Sequence, residues 1–333
     1  MMLNSLATLE QLELTPSMND GLPHHLEMEL RALGCQIIQQ TGVLLHLPQR
    51  TAAVAQVFFH RFWYISSMAD FSANEIALGC LLLSTKLEET QVLFRHLVNA
   101  FHSAMFHLQD RVPPEDRGRV AKAASSQSSA RKYRPLAYNS GDYERLRECA
   151  MVAEMQILKR LGFNVQVVLP HALLPNYLQA LGLASSDLQI SPKIRARRPP
   201  DNAKRGDTEP SLQRMSFAQY AWSFLNDALQ TPVLCLFGPH VVACAAIALA
   251  ADLCVPRVKL PVDPAPWWLV FDASEPEIRI ACSHVLWRYH HRSSLATAPL
   301  LLDRQVLREH VVALSADAEA DPVEVAARSG PAT

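Results

Sequence analysis

The chain has 333 residues, 49% of them hydrophobic, with 31 basic and 32 acidic side chains and a net charge of −1. That balance removes any global electrostatic reason to bind nucleic acid or an anionic membrane. Only 11 residues are glycine, about half the usual share of ~7%, and the closest pair, Gly34 and Gly42, leaves no room for a GxGxxG, P-loop or GxSxG motif, which excludes the common nucleotide-binding α/β enzymes.

Proline, at 22, is not scarce, so long helices with firm stops are expected, in two domains of ordinary size. The first residues carry Glu10 and Glu13 and no basic run, so no signal peptide is expected. The first helical pattern opens after Pro48, a residue suited to a first helical turn. It runs through Val54, Phe58, Phe62 and Ile65. Ser72-Ala73-Asn74-Glu75 follows as a capping box, in which serine and glutamate satisfy each other's exposed amides. It predicts a helix that buries Ile76, Gly79, Cys80, Leu83 and Leu87 on one stripe and ends near Lys86-Leu87-Glu88-Glu89. Val92 to His107 reads as another helix. From about Leu108 to Ser140 the pattern breaks. Pro113-Pro114 and a serine-rich run ending at Ser129 accompany seven basic residues and three acids, and predict a mobile insertion.

Gly141 to Leu161 is helical again, with Tyr143, Leu146, Ala150, Ala153, Ile157 and Leu161 on one face and Gly162 as a left-handed cap. Pro170 to Leu181 adds one more helix. Ala184 to about Glu209, with Arg195, Arg197, Arg198, Pro199 and Pro200, is the natural domain boundary. Ser211 to Leu229 is amphipathic. Thr231 to Ala251 has no charged residue, a length that approaches the ~20 residues of a membrane span. But Gly238-Pro239-His240 cuts it and Asp252 stops it, so it reads as a short segment, a turn and an enclosed core helix, His240 to Cys254. Ser274-Glu275-Pro276-Glu277 starts a last helix that continues through Ile280 and Leu286 to Tyr289. No stretch carries a strong strand signal. The chain therefore divides into a flexible start (1–23), a first helical fold (24–183) with the insertion at about 108–140, a linker (184–210), a second fold (211–314) and a frayed Ala/Asp/Glu-rich tail (315–333).

Seven cysteines, an odd number without a CxxC pair, sit mostly in apolar helical runs. They read as reduced, buried thiols of an intracellular protein. The 13 histidines include His24-His25 and His290-His291, and Cys282 lies near His284. None has a second ligand pair at zinc spacing, so no metal, no cofactor and no catalytic set is expected. Glu88 and Glu89 are adjacent on a helix and do not share a face, which suits a solvated helix end or a structural contact. Glu154 is different. It projects within an apolar stripe beside Ala150, Ile157 and Leu158, where an unpaired carboxylate is costly. Lys86 flanks the other apolar helix, about 80° from its stripe by helix geometry. Two readings stand: an intramolecular Lys86–Glu154 ion pair, or two charges that face a helix of another protein. The basic residues Arg195, Arg197 and Arg198 with Lys204-Arg205 read either as a solvated linker or as a bipartite nuclear import signal. No aromatic residue lies between Ala184 and Ser216 to stack on bases, so direct nucleic-acid binding is not expected.

Some of these residues form familiar strings. Ser84-Thr85-Lys86-Leu87-Glu88-Glu89 at the end of an apolar helix resembles the cyclin-box signature. So does the helix with Ala153-Glu154 that ends Leu158-Lys159-Arg160-Leu161-Gly162-Phe163. With Thr15-Pro16-Ser17-Met18, Leu30-Arg31-Ala32-Leu33-Gly34-Cys35, Gln56-Val57-Phe58-Phe59-His60-Arg61-Phe62, Asn226-Asp227-Ala228-Leu229 and Trp268-Leu269-Val270-Phe271, the chain is similar to the cyclin L family over about residues 15–290, the two linkers aside. The resemblance implies an all-α architecture of tandem five-helix cyclin folds. It implies an activating, non-catalytic subunit of a cyclin-dependent protein kinase, nuclear, acting in transcription and pre-mRNA processing, with no small-molecule substrate and no membrane. It implies kinase contacts at Lys86 and Glu154, with Glu88 and Glu89 beside them. After Glu89 the family has a proline and arginines. Here stand Thr90, Gln91, Val92 and Leu93, which change the surface beside that contact. The alternative on the same fold is a transcription-factor-IIB-like module that binds DNA and polymerase. It needs a basic DNA face and often a zinc ribbon, and neither is visible in the sequence.

Overall fold

The computed structural model describes residues 4–112, 133–185, 188–192, 214–290 and 297–314. Most of the 108–140 insertion, the basic cluster from Arg195 to Arg205 and the 315–333 tail lie outside these residues. The chain divides by contact into two units, Ala7–Gln166 with Arg292–Thr333, and Met1–Leu6 with Val167–His291.

The first unit is built on long helices α1 (His24–Leu44), α2 (Gln49–Phe62), α3 (Ala73–Leu87), α4 (Phe94–Gln109) and α5 (Gly141–Arg160). Helix α3 is the core helix. It packs on α1, α2 and α5 and buries every residue from Ile76 to Thr85. Helix α2 buries every residue from Thr51 to Phe62. Its rings Phe59 and Phe62 meet Trp63 edge-on at 5.6 and 5.1 Å, the arrangement the ring quadrupole favours. Pro48 stands just before α2 as its N-cap, not in its first turn, and Ile65 lies beyond its end. Scarce glycine is placed where helices touch: a Cβ on Gly34 would enter the Phe59 ring, so α1 and α2 approach this closely only with glycine there.

Four sequence expectations for this unit change. The periodicity does not announce α1, because Glu27 and Arg31 interrupt its apolar face; the fold buries both charges as an ion pair. Ser72 is the N-cap of α3 but makes no capping bond. Its hydroxyl accepts the Arg304 backbone N–H at 3.1 Å, and Glu75 instead accepts the Cys149 thiol at 3.4 Å. Residues 297–314 cause this displacement. They fall in the first unit, although composition grouped them with the second fold. Ala298, Leu301, Leu302 and Leu307 are buried, and Arg304 and Arg308 donate to the carbonyls of Asp70 and Ala69. Leu87, expected on the buried stripe, is exposed, because the last turn of α3 outruns the core.

The second unit holds α6 (Leu174–Ala180), α7 (Phe217–Ala228), α8 (Pro239–Asp252) and α9 (Glu275–His290). The uncharged run resolves as expected into a short helix Val233–Leu236, a break at Phe237-Gly238, and α8, which is buried on all sides. Ser274 and Glu277 form the capping box of α9, each side chain bonded to the other's backbone N–H at 3.2 and 3.4 Å. The unit also carries strands the sequence did not signal: Gln189–Pro192 pairs antiparallel with both Met215–Ser216 and Cys254–Val255. Strands of two to four residues are too short to show a period of two. Among the described residues no helix is long and apolar enough to cross a membrane.

Candidate protein-binding surface

The candidate site forms where α3 and α5 run together. Gly79 permits it: a Cβ there would stand 2.6 Å from the Cβ of Ala153 and 3.0 Å from its backbone. Two turns further along α3 is Lys86, and one residue further along α5 is Glu154. The Lys86 ammonium donates to both carboxylate oxygens of Glu154, at 2.7 Å each. Lys86 is 58% exposed and Glu154 14%. The buried-stripe argument thus resolves as an intramolecular pair, and the pair also faces outward. Such a pair is worth little to the fold, about 0–1 kcal/mol.

The other predicted residues separate. Glu88 ends α3 and accepts from the Arg50 guanidinium, away from the Lys86 pair. Glu89 has a left-handed backbone (φ 51°) and an exposed side chain with no partner among the described residues. That conformation lets the Thr90 N–H reach back to the Thr85 carbonyl at 2.9 Å, a Schellman-like helix end.

The sequence reading missed the apolar rim around the pair. Met151 and Met155 on α5 are exposed, as is Leu87. Phe163 is 73% exposed. Gly162 (φ 57°) and Phe163 (φ 58°) are both left-handed, and the Phe163 N–H bonds back to the Leu158 carbonyl at 2.9 Å. For Phe163 this conformation is costly, and it leaves a large ring in water. Met151, Met155, Glu154, Leu158, Lys159 and Phe163 line one shallow hollow. The i,i+4 spacing of Met151 and Met155 was a readable signal for a second apolar stripe on α5, opposite the first.

On α5, burial and the Glu75 carboxylate push the Cys149 thiol up to about 11. In the second unit, burial takes Cys244 and Cys282 up to about 12. None of the seven cysteines forms a disulfide, and five are buried. Among the described residues no group of three His, Cys, Asp or Glu side chains could hold a metal. The surface itself is a charge pair set beside exposed apolar side chains.

Residues 1–116 match the family described as "Cyclin, N-terminal domain". The chain is 32% identical over 308 residues to Cyclin-L1 of Danio rerio, covering 92% of this chain and 51% of that one. It is 34% identical over 286 residues to Cyclin-L1 of Homo sapiens, covering 86% of this chain and 44% of that one. It therefore spans about half the length of these relatives. A chain of the yeast RNA Pol II CTD kinase CTDK-1 complex superposes with a TM-score of 0.57 at 13% identity, over 91% of this chain and 83% of that one. At that identity the likeness carries the fold alone, an all-α chain of two helical folds in tandem.

Proposed function

This chain belongs to the cyclin L family, and from that premise we propose that it is the regulatory, activating subunit of a cyclin-dependent protein kinase. The observation that carries the reading is the outward-facing Lys86–Glu154 pair inside its rim of exposed Met151, Met155 and Phe163. A helix of the partner seated there would bury the rim and satisfy its own backbone groups on the two charges. On the kinase side, a packed regulatory helix holds its glutamate inward, so that the catalytic Lys–Glu pair can form. Phosphoryl transfer is then the partner's chemistry, and this chain contributes only binding energy. The setting we infer, transcription and pre-mRNA processing in the nucleus, rests on the likeness to the cyclin L family alone.

The test is affinity purification of the full chain with identification of the co-purifying kinase. It is repeated with the charge-exchanged variant Lys86→Glu/Glu154→Lys, whose folding is checked by circular dichroism. We expect at least a tenfold loss of recovered kinase from a folded variant. Unchanged recovery would remove these two residues from the interface, and recovery of no kinase by the unaltered chain would overturn the function.

A further inference from the structure

A second hollow shares Met151 with the first and is lined by Lys86. Leu93, Tyr138 and Met151 are among its apolar and aromatic lining, and Lys86, Arg95 and Arg147 are its charged lining. No carboxylate lines it. Lys86 and Arg147 already hold Glu154 and Glu144, whereas the Arg95 guanidinium has no partner among the described residues.

The start of α4 adds to that charge. Leu93 at its N-cap provides no capping bond, and the first turn contains no acid. The backbone N–H groups of Phe94 and Arg95 have no acceptor among the described residues. Such an end presents open donors and about half a positive charge. The neighbouring start of α5 is built the opposite way, capped by Ser140 with Asp142 and Glu144 in its first turn.

The hollow is also built in advance. The Tyr133 hydroxyl donates to the Asn99 carbonyl and the Leu136 N–H to the Asn99 side-chain oxygen, both at 2.8 Å. These bonds tie the 133–140 stretch to α4 and hold Tyr138 against Tyr143, with ring centroids 5.3 Å apart. Leu93, at 68% exposure, is left in water at the mouth. A wall fixed before binding lowers the ordering cost of association.

We propose that this hollow docks an acidic segment of a partner protein, with an apolar side chain seated on Leu93, Tyr138 and Met151 and a neighbouring carboxylate received by Arg95 and the α4 N-terminus. The hollow shares Lys86 and Met151 with the surface assigned above to the kinase, and its test uses this chain alone, so its failure is distinguishable from failure of the kinase reading. The probe is a fluorescein-labelled peptide of glutamates around a central leucine pair, followed by anisotropy and by methyl NMR of the methionines. We expect saturable binding that weakens with salt, falls at least tenfold in Arg95→Glu and in Leu93→Ser, and is absent for a lysine-for-glutamate peptide. The Met151 methyl, which lines this hollow, should shift, while Met155, which lines only the other, should not. Arg95→Ala, a milder change at an exposed position, should weaken binding in the same direction. No binding, equal binding to Arg95→Glu, or a shift at Met155 in place of Met151 would overturn the proposal. So would binding that appears only when residues 315–333 are removed, because that result assigns the hollow to the chain's own acidic tail.

Discussion

Two ion pairs in the first unit use the same chemistry and end differently. Glu27 and Arg31 lie one turn apart on α1, with the guanidinium donating at 2.6 and 2.9 Å, and each side chain is 1% exposed. The pair is saturated from within. The Thr15 hydroxyl donates to the other Glu27 oxygen at 2.5 Å, Arg31 donates to the His60 carbonyl at 3.1 Å, and its guanidinium sits 4.4 Å over the Tyr64 ring. The Lys86–Glu154 pair joins two helices at the surface, and Lys86 remains in water. A charge pair is committed to the fold when the interior uses up its hydrogen-bonding capacity. It is available for recognition when solvent still holds part of it.

The largest effect should therefore come from the inner pair. Arg31→Met leaves a carboxylate buried with only Thr15 to serve it, and breaking a buried pair from one side costs roughly 3–5 kcal/mol. The unfolding free energy should fall by that amount, read as a urea midpoint lowered by that energy divided by an unchanged m-value. Replacing both partners, as Glu27→Leu/Arg31→Met, should recover much of the loss, because a well-packed apolar pair often substitutes without penalty. A cost below about 1 kcal/mol for the single change, the range of surface pairs, would erase the distinction between the two sites.

The contrast also shows why one pair was legible and the other was not. Glu154 stands out in the sequence because its stripe neighbours Ala150, Ile157 and Leu158 are apolar, and Lys86 ends an apolar helix at the right flank. Glu27 and Arg31 look like an ordinary solvated i,i+4 pair. Only the packing of α2 and the Thr15 segment over them makes them interior, and no local pattern encodes that. The same limit hid the loss of the Ser72 cap to residues 297–314, which lie more than two hundred positions away. Helix existence was local and readable: Gly162, Ser274 with Glu277, and the broken apolar run before α8 all behave as their chemistry directs. The short strands and the Phe163 hollow depend on partners distant in sequence or on a two-residue backbone choice.

A third acid sharpens the comparison from between these extremes. Asp227 on α7 is half-buried and accepts from the Tyr289 hydroxyl. Burial pushes its carboxyl above the ordinary 3.8, while Tyr289 and then Arg288 pull it back. A raised value in the folded state means that the fold keeps a proton the unfolded chain has already released. This group therefore favours folding at low pH, and that contribution is lost as pH climbs from the ordinary carboxylate value through the raised one. The effect is confined to one proton on one group, so it should be smaller than the Arg31 loss. In Asp227→Asn, which does not titrate, the difference in unfolding free energy from the unaltered chain should change with pH across that window and flatten above it. A difference that is constant throughout would mean Asp227 is as freely solvated as a surface carboxylate.

The smallest effect on the fold should come from the outer pair. Lys86→Glu/Glu154→Lys keeps one positive and one negative charge at the same two positions, so the pair can re-form with its polarity reversed. Because exposed pairs contribute about 0–1 kcal/mol in the first place, stability should move by no more than about 0.5 kcal/mol. The single change Lys86→Glu is the harsher one, since it sets two carboxylates side by side with Glu154 only 14% exposed. It should cost more than the exchange, and the exchange should restore what it lost. That order, with the single change worse than the double, is what a direct charge pair requires. If the exchange instead destabilised the chain as severely as Arg31→Met, the outer pair would be a structural joint between α3 and α5. Its exposure would then be incidental, and any loss of partner binding in the same variant would report misfolding, not recognition.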